Sequence, residues 1–295
     1  MQTKICPICE TDAYSKIEYE EKLAKKHENI NFSGRKYPDG YHYEMKRCGN
    51  CSLLYSSSIY EIELTSQFYK ESNFIYDLEL EGLKKTYGNC LTKIEDIIKN
   101  KENFLEIGCG NGFLLEVAVE KGWKNVTGVE PSIEAINHAS ESVKNKIIHS
   151  IFESKKFEKN FYDLVFFAMI IEHVPDINQF LSGIYDILKP GGVAVSICHN
   201  ERHFLSKLLK NKHPIINDEH NYVFGKKTLE KIFIKNKFKD IVINDLKNYY
   251  TMNHWLKMTP IPRIINSPLT FISKILFNNR NIGIKAGNLF LVAKK

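Results

Sequence analysis

Residues 105–113 read LEIGCGNGF, and this stretch decides how the rest of the chain is parsed. A short apolar run, Phe104–Ile107, gives way to alternating glycines, and Phe113–Lys121 then has helical character. Glycines let the backbone bend sharply and approach a ligand that a Cβ would block. A strand–turn–helix of this kind places the bend at the carboxyl edge of a sheet, where open α/β sheets bind ligands. No Gly-Lys-Ser/Thr follows, which excludes a phosphate-binding P-loop. The third glycine comes one residue too early for the dinucleotide fingerprint G-x-G-x-x-G.

Working downstream, Val126–Val129 reads as a second strand that closes on Glu130. A carboxylate there can accept hydrogen bonds from both hydroxyls of a ribose. Pro131-Ser132 is good start chemistry for a helix over Ser132–Val143. Strands follow at Lys146–His149 and Tyr162–Phe167, then a helix over Asp176–Leu188 that stops at Lys189-Pro190-Gly191-Gly192. Val193–Cys198 is a fifth strand, Thr228–Asn236 a helix, and Asp240–Asn244 and Leu289–Ala293 the closing strands. Such alternation predicts a parallel sheet with helices on both faces. Upstream, residues 59–100 read as helical, with Leu83, Tyr87, Leu91, Ile94, Ile97 and Ile98 at helix spacing. Tyr60, Phe68, Tyr69, Phe74 and Tyr76 precede them, as a packing face or as an aromatic lid.

Two C-x2-C pairs, Cys6/Cys9 and Cys48/Cys51, stand near the amino terminus. A two-residue gap lets one tight turn aim both sulfurs at one ion, and two such turns complete the four-thiolate tetrahedron that Zn2+ favours. His27 and His42 are alternative donors, but four cysteines suffice. A shell closed by four thiolates leaves no position for a substrate, so the expected role is structural. Metal binding would supply folding free energy that so small a hairpin lacks.

Four landmarks now stand in order: the ExGxGxG turn (Glu106, Gly108, Gly110, Gly112), Glu130 in GVEPS, the block FYDLVFFAMIIEHVPD, and LKPGG before the fifth strand. With them, residues from about 80 to 295 resemble the class I S-adenosylmethionine-dependent methyltransferases. The doubled cysteine pairs make the two-part architecture similar to zinc-ribbon methyltransferases of bacterial surface-polysaccharide and modified-sugar pathways. The resemblance implies an α/β fold: a Rossmann-like sheet of seven strands, the last one antiparallel, behind a small four-cysteine zinc module. It implies a zinc-ribbon-like module over 1–58, a helical linker or lid over 59–100, and a methyltransferase domain over 101–295 with an apolar insertion at about 251–285. By the same resemblance Glu106, Gly108, Cys109, Gly110 and Gly112 hold the methionine part of the cofactor, Glu130 the ribose, and Ala168 and Met169 the fourth-strand edge. Many members carry an Asp after the third strand. This chain has HSIFES there, which leaves the adenine to groups near Phe152 and Glu153.

Methyl transfer from a sulfonium is a displacement, so the protein must align the partners and remove the acceptor proton. An alcohol needs a general base, and histidine is the usual one; an enol, phenol or amine needs less help. Of ten histidines, His173 follows the fourth strand and His220 lies in the connection after the fifth, where this fold builds its acceptor pocket. Both are candidate bases, although His173 could instead cap the next helix and His220 could be a surface residue. His199 and His203 stand behind them. The resemblance favours O- or N-methylation of a sugar or sugar-linked group, with a sugar nucleotide or glycan intermediate as acceptor. No counterpart of the large carboxy-terminal domain of the sugar C-methyltransferases is expected, which disfavours C-methylation. A ribosomal RNA guanine methyltransferase with an amino-terminal zinc finger, and a noncatalytic scaffold that binds the cofactor, are the alternatives.

Composition bounds these readings. With 295 residues, 43% hydrophobic and 26% charged, the chain can bury a core, which rules out wholesale disorder. A formal charge of +6 is mild for this length. Acids and bases mix through KIEYEEKLAKKHEN, a poor phosphate tracker, so no nucleic acid is expected. No signal peptide and no membrane-spanning run stand out, which points to a cytoplasmic chain. The apolar, basic insertion is expected to cover the acceptor pocket, with weak contact to an anionic membrane surface as the other reading.

Overall fold

The computed structural model describes residues 2–23, 40–61, 67, 69–70, 79–257 and 280–295. The amino-terminal part contributes five short strands: β1 (Gln2–Thr3), β2 (Ser15–Tyr19), β3 (Met45–Cys48), β4 (Leu54–Ser56) and β5 (Ser58–Ile59). Then follow α1 (Leu80–Lys93), β6 (Asn103–Ile107), α2 (Phe113–Glu120), β7 (Asn125–Glu130), α3 (Ile133–Asn137), α4 (Glu141–Lys144) and β8 (Ile147–His149). Next come β9 (Tyr162–Ala168), α5 (Ile177–Ile187), β10 (Leu188–His199), α6 (Phe204–Leu209), β11 (Tyr222–Val223) and α7 (Lys226–Lys235). The chain closes with β12 (Lys239–Asp245), β13 (Asn248–Thr251), α8 (Met252–Lys257), β14 (Asn281–Ile284) and β15 (Asn288–Lys294).

Seven strands form one sheet in the order β12-β15-β10-β9-β6-β7-β8. Strands β6 to β10 pair in parallel, and β15 runs antiparallel to both its neighbours. This is the expected Rossmann-like sheet with its last strand reversed. β6 is buried along its whole length and β9 along all but its last residue, as strands covered on both faces must be. The helix α5 starts where the Asp176 side chain accepts a hydrogen bond from the Gln179 N–H. It buries Ile177, Phe180, Leu181, Ile184 and Ile187, one helical stripe, against the sheet.

The core on that face also takes in Cys6, Cys48, Cys51, Leu53 and Tyr55 from the amino-terminal part. The opposite face is covered by α1 and α2, through residues such as Leu83, Leu91, Leu114 and Ala118. The amino-terminal module is joined to the large unit by strand pairing as well. β11 pairs antiparallel with β4, completing a four-stranded sheet β11-β4-β3-β2.

Some elements differ from expectation. The helix over Ser132–Val143 is two short ones, because the first turn ends at His138 and Ser140 opens a new start. Of 59–100, α1 is the long helix among the described residues, while Ile59 lies in β5 and Ile94–Ile97 in turns. LKPGG is drawn into the start of β10, with a register irregularity between Leu188 and Val193 and Gly191 at φ 78°. The insertion begins and ends as a hairpin of β13 and β14, closed by the Trp255 indole N–H donating to the Ile282 carbonyl at 2.9 Å. Residues 258–279 of that insertion, and His27, Phe68, Phe74 and Tyr76, lie outside the described residues. No helix among the described residues is long and apolar enough to cross a membrane.

Candidate active site

The glycine turn is held in a conformation that side chains resist. Gly108, Gly110 and Gly112 have φ of 73°, 55° and 73°, the left-handed region that costs other residues ~1–2 kcal/mol each. A Cβ at Gly108 would also collide with the Ile170 side chain, so the loop after β9 lies directly over the turn. The Gly108 and Cys109 N–H groups donate to the Val129 carbonyl at 2.8 and 3.1 Å. The Gly110 N–H donates to one Glu130 carboxylate oxygen, and the Ser132 N–H to the other, both at 2.8 Å. Each oxygen keeps a second lone pair for a ligand. Burial pushes the Glu130 pKa up, and the two N–H bonds oppose that shift.

Glu106 lies beneath the turn, 3% exposed, and its Oε2 has no hydrogen-bond partner among the described residues. Burial first, and the Glu130 charge second, hold its carboxyl well above the usual range. Leaving such a group unsatisfied is costly, and a ligand N–H would relieve it. A turn without side chains, an orphaned buried carboxyl and a ribose-spaced carboxylate fit the methionine and ribose parts of S-adenosylmethionine.

The remaining candidates divide. The Cys109 thiol is buried against Gly128, which has no Cβ in its way, so this residue offers the turn its backbone. The Phe152 ring packs on Phe157 and Phe180, in the core cluster, at centroid distances of 5.4 and 5.7 Å. The exposed Glu153 carboxylate pairs with Lys156 at 2.6 Å. Glu153 and Lys156 line a cavity of about 350 Å³ together with Pro131, His149, Ser150, Ile151 and Lys70. Ala168 ends β9, and Met169 turns away from it at φ 54° with its N–H donating to the Ile197 carbonyl at 2.8 Å.

β9 and β10 end side by side, and the loops leaving them converge. The His173 and His220 ring centroids are 4.6 Å apart, and His199 is 5.3 Å from His220. His220 is 5% exposed and is no surface residue. His173 Nδ1–H donates to the Glu219 carbonyl at 3.1 Å, and His220 Nδ1–H to the Ile215 carbonyl at 2.8 Å. A carbonyl can only accept, so each ring carries a proton on Nδ1, and the basic nitrogen of its neutral form is Nε2. Burial, helped by His199, lowers His173 to about 4, against the pull of its Glu219 bond. Burial and the neighbouring His220 lower His199 to about 3. These two rings are therefore neutral at physiological pH.

His199 lies in this cluster as well, and beside it stands Glu172, which the sequence alone did not single out. Glu172 is fully buried, accepts a bond from the His199 backbone N–H at 2.8 Å, and is raised by burial to about 7. An acid inside the apolar run AMIIEH, just past a buried strand, was the available signal. Tyr69 stands edge-on to His173 at 6.1 Å, which brings this one aromatic residue to the site.

The four sulfurs of Cys6, Cys9, Cys48 and Cys51 lie within 4.8 Å of one another, the one such donor set among the described residues. Cys6–Cys51 and Cys9–Cys48 measure 3.5 and 3.8 Å. Metal–sulfur bonds of ~2.3 Å in a tetrahedron give sulfur–sulfur edges of about 3.8 Å, so the set fits a four-thiolate ion. Burial and the neighbouring thiols raise Cys9 to about 11; a bound cation inverts that preference. His42 points elsewhere, its Nδ1 bonded to the Tyr43 carbonyl at 2.8 Å.

Residues 81–242, more than half of the chain, match the family model described as a methyltransferase domain. The chain belongs to that family: it carries a class I S-adenosylmethionine-dependent methyltransferase domain. A Rickettsia canadensis protein named ubiquinone biosynthesis O-methyltransferase is 34% identical over 101 residues, 32% of this chain and 42% of that protein. A Dictyostelium discoideum protein named mitochondrial ubiquinone biosynthesis O-methyltransferase is 29% identical over 191 residues, 57% of this chain and 54% of that protein. The chain thus spans about half the length of the curated relatives it matches. The crystal structure of the YcgJ protein from Bacillus subtilis shares the fold at a TM-score of 0.50, with 14% identity over 72% of this chain and 98% of that one.

Proposed function

We propose that the chain methylates a hydroxyl oxygen of a small neutral acceptor held against His173 and His220. The observation that carries this reading is the buried pair of Nδ1-protonated imidazoles at the sheet edge that also bears the glycine turn and Glu130. Bound S-adenosylmethionine supplies an electrophilic methyl group. Glu106 and the backbone of Gly108, Cys109, Gly110 and Gly112 grip its methionine part. Glu130 takes the ribose hydroxyls, Ala168 and Met169 flank the fourth-strand edge, and backbone groups at Phe152 and Glu153 border the adenine. His220 Nε2 receives the hydroxyl proton, and the Ile215 carbonyl, bonded to Nδ1–H, steadies the imidazolium as it forms. His173 shares that wall.

Burial lowers His173 to about 4, so it lends the wall little extra basicity, and a hydroxyl that gives up its proton readily, such as a phenol or enol, needs less help there than an alkyl alcohol. The relatives' printed names support oxygen over nitrogen as the methylated atom. A hydroxyl on a sugar nucleotide or glycan intermediate is the second reading, supported by the doubled C-x2-C module. That module, in this proposal, holds a structural Zn2+. The deciding assay offers methyl-labelled S-adenosylmethionine with a catechol and, separately, with a sugar nucleotide. Label on the catechol oxygen supports the first reading, and label on the sugar oxygen alone supports the second. Label on nitrogen, or on RNA in a salt-sensitive reaction, overturns both.

A further inference from the structure

The segment that carries His220 is tied to two other parts of the chain at one residue. Asn221 is 4% exposed and bonds through its backbone N–H, its backbone carbonyl and its side-chain NH2. Its backbone N–H donates to the Glu172 carbonyl at 2.7 Å, and its carbonyl accepts from the Ser56 N–H at 2.9 Å and the Ser56 hydroxyl at 3.3 Å. Its side-chain amide donates to the His173 carbonyl at 2.7 Å and the Val174 carbonyl at 3.1 Å. We propose that Asn221 is the positioning residue of the acceptor site, clamping the loop that carries His173 to the His220 segment and to the hairpin that carries Cys48 and Cys51.

The chemistry of the two carbonyls makes the clamp specific. His173 and Val174 lie between β9 and the Asp176 cap of α5, where neither a ladder nor a helix supplies donors. An amide side chain has two N–H groups and can satisfy both carbonyls; a carboxylate or an alkyl group can satisfy neither. Buried carbonyls left bare are costly, so the loop would move to find water. The His173 ring is held from the other side by the Glu219 carbonyl, two residues before Asn221. Displacing either strand of this clamp changes the 4.6 Å ring pair.

The third arm reaches the metal set. Ser56 ends β4, which follows the Cys48–Cys51 turn and pairs with Tyr222–Val223 immediately beyond Asn221. The turn is itself pinned, since the Cys48 N–H donates to the Leu53 carbonyl at 3.0 Å. Arg47 forks onto Glu201 at 3.0 and 2.8 Å. The four-cysteine module is thus built into the wall behind the histidines.

This inference rests on His173 and His220 forming the acceptor wall, but its test reads ring geometry with no acceptor present, so either idea can fail alone. The experiment is 15N-histidine NMR on the full chain, with the His173 signal assigned through His173→Gln, and calorimetric titration with S-adenosylmethionine alongside. In the wild type His173 shows the Nδ1–H tautomer. Asn221→Ala and Asn221→Asp, which both remove the two amide donors, are expected to fold, to bind S-adenosylmethionine with unchanged affinity, and to lose that tautomer signature at His173. A wild-type His173 signature in both variants overturns the proposal. So does loss of cofactor affinity in step with the signature, or failure of both variants to fold, because the residue would then support the fold as a whole.

Discussion

Replacing Glu130 with Gln tests the cofactor site at its most constrained atom pair. The carboxylate accepts the Gly110 and Ser132 N–H groups at 2.8 Å each, and each oxygen keeps one lone pair for a ribose hydroxyl. Gln has the same shape, but its NH2 must face one of those N–H groups as donor against donor. The orphaned N–H costs ~1–3 kcal/mol of stability in the free protein. Two charge-assisted bonds to the ribose, ~1.5–3 kcal/mol apiece, become at best one neutral bond. The net loss in binding is about 3 kcal/mol, or roughly 100-fold in the dissociation constant. Calorimetric titration with S-adenosylmethionine measures it, and a thermal melt separates it from unfolding. Glu102→Gln is the control: its exposed carboxylate pairs with Lys124 on the surface, where such pairs contribute ~0–1 kcal/mol. A folded Glu130→Gln protein whose affinity matches the control would refute the ribose assignment.

His220→Ala should lower turnover on the methylated acceptor at least ~100-fold while cofactor affinity, measured by calorimetry, stays near wild type; unchanged turnover removes His220 from the chemistry. Acid should destabilise the fold. His173 and His199 titrate at about 4 and about 3 when folded against 6.5 unfolded, so the unfolded chain binds more protons in that window and stability present above 6.5 is lost as pH falls. Glu172, raised from 4.5 to about 7, works in the opposite sense, losing stability as pH rises through that range. Urea unfolding at pH 7 and pH 5 should show a loss that His199→Gln reduces by about 2 kcal/mol; an identical loss in the variant would contradict the buried, neutral ring. Elemental analysis of purified protein should find one zinc per chain, and Cys51→Ser should lower both that content and the melting temperature.

What could be read in advance follows from the range of the physics involved. The turn at Gly108, Gly110 and Gly112 was legible because its constraint is local: each residue needs a positive φ, and the backbone itself carries the requirement. Glu130 was legible because a strand-end acid two residues before Ser132 is placed by the same short stretch. The doubled cysteine pairs were legible because each C-x2-C turn aims its own sulfurs, and those four sulfurs do converge. The break at Ser140 was missed because apolar spacing continued through it, although a serine can open a helix as readily as it can lie within one.

The histidine cluster was illegible for the opposite reason. His173, His199 and His220 come from three segments, and nothing near any one of them in sequence states that the other two are neighbours. Their meeting depends on the parallel pairing of Ile197 with Ala168, which brings the ends of β9 and β10 together. It depends equally on Asn221 returning to the Glu172 carbonyl, and on β4 lending an edge to Tyr222 and Val223. The cofactor side of the site is therefore written in one contiguous motif. The histidine cluster is written in contacts between the module and the sheet; if it holds the acceptor as proposed, variation in that docking changes what is methylated without touching how the methyl donor is held.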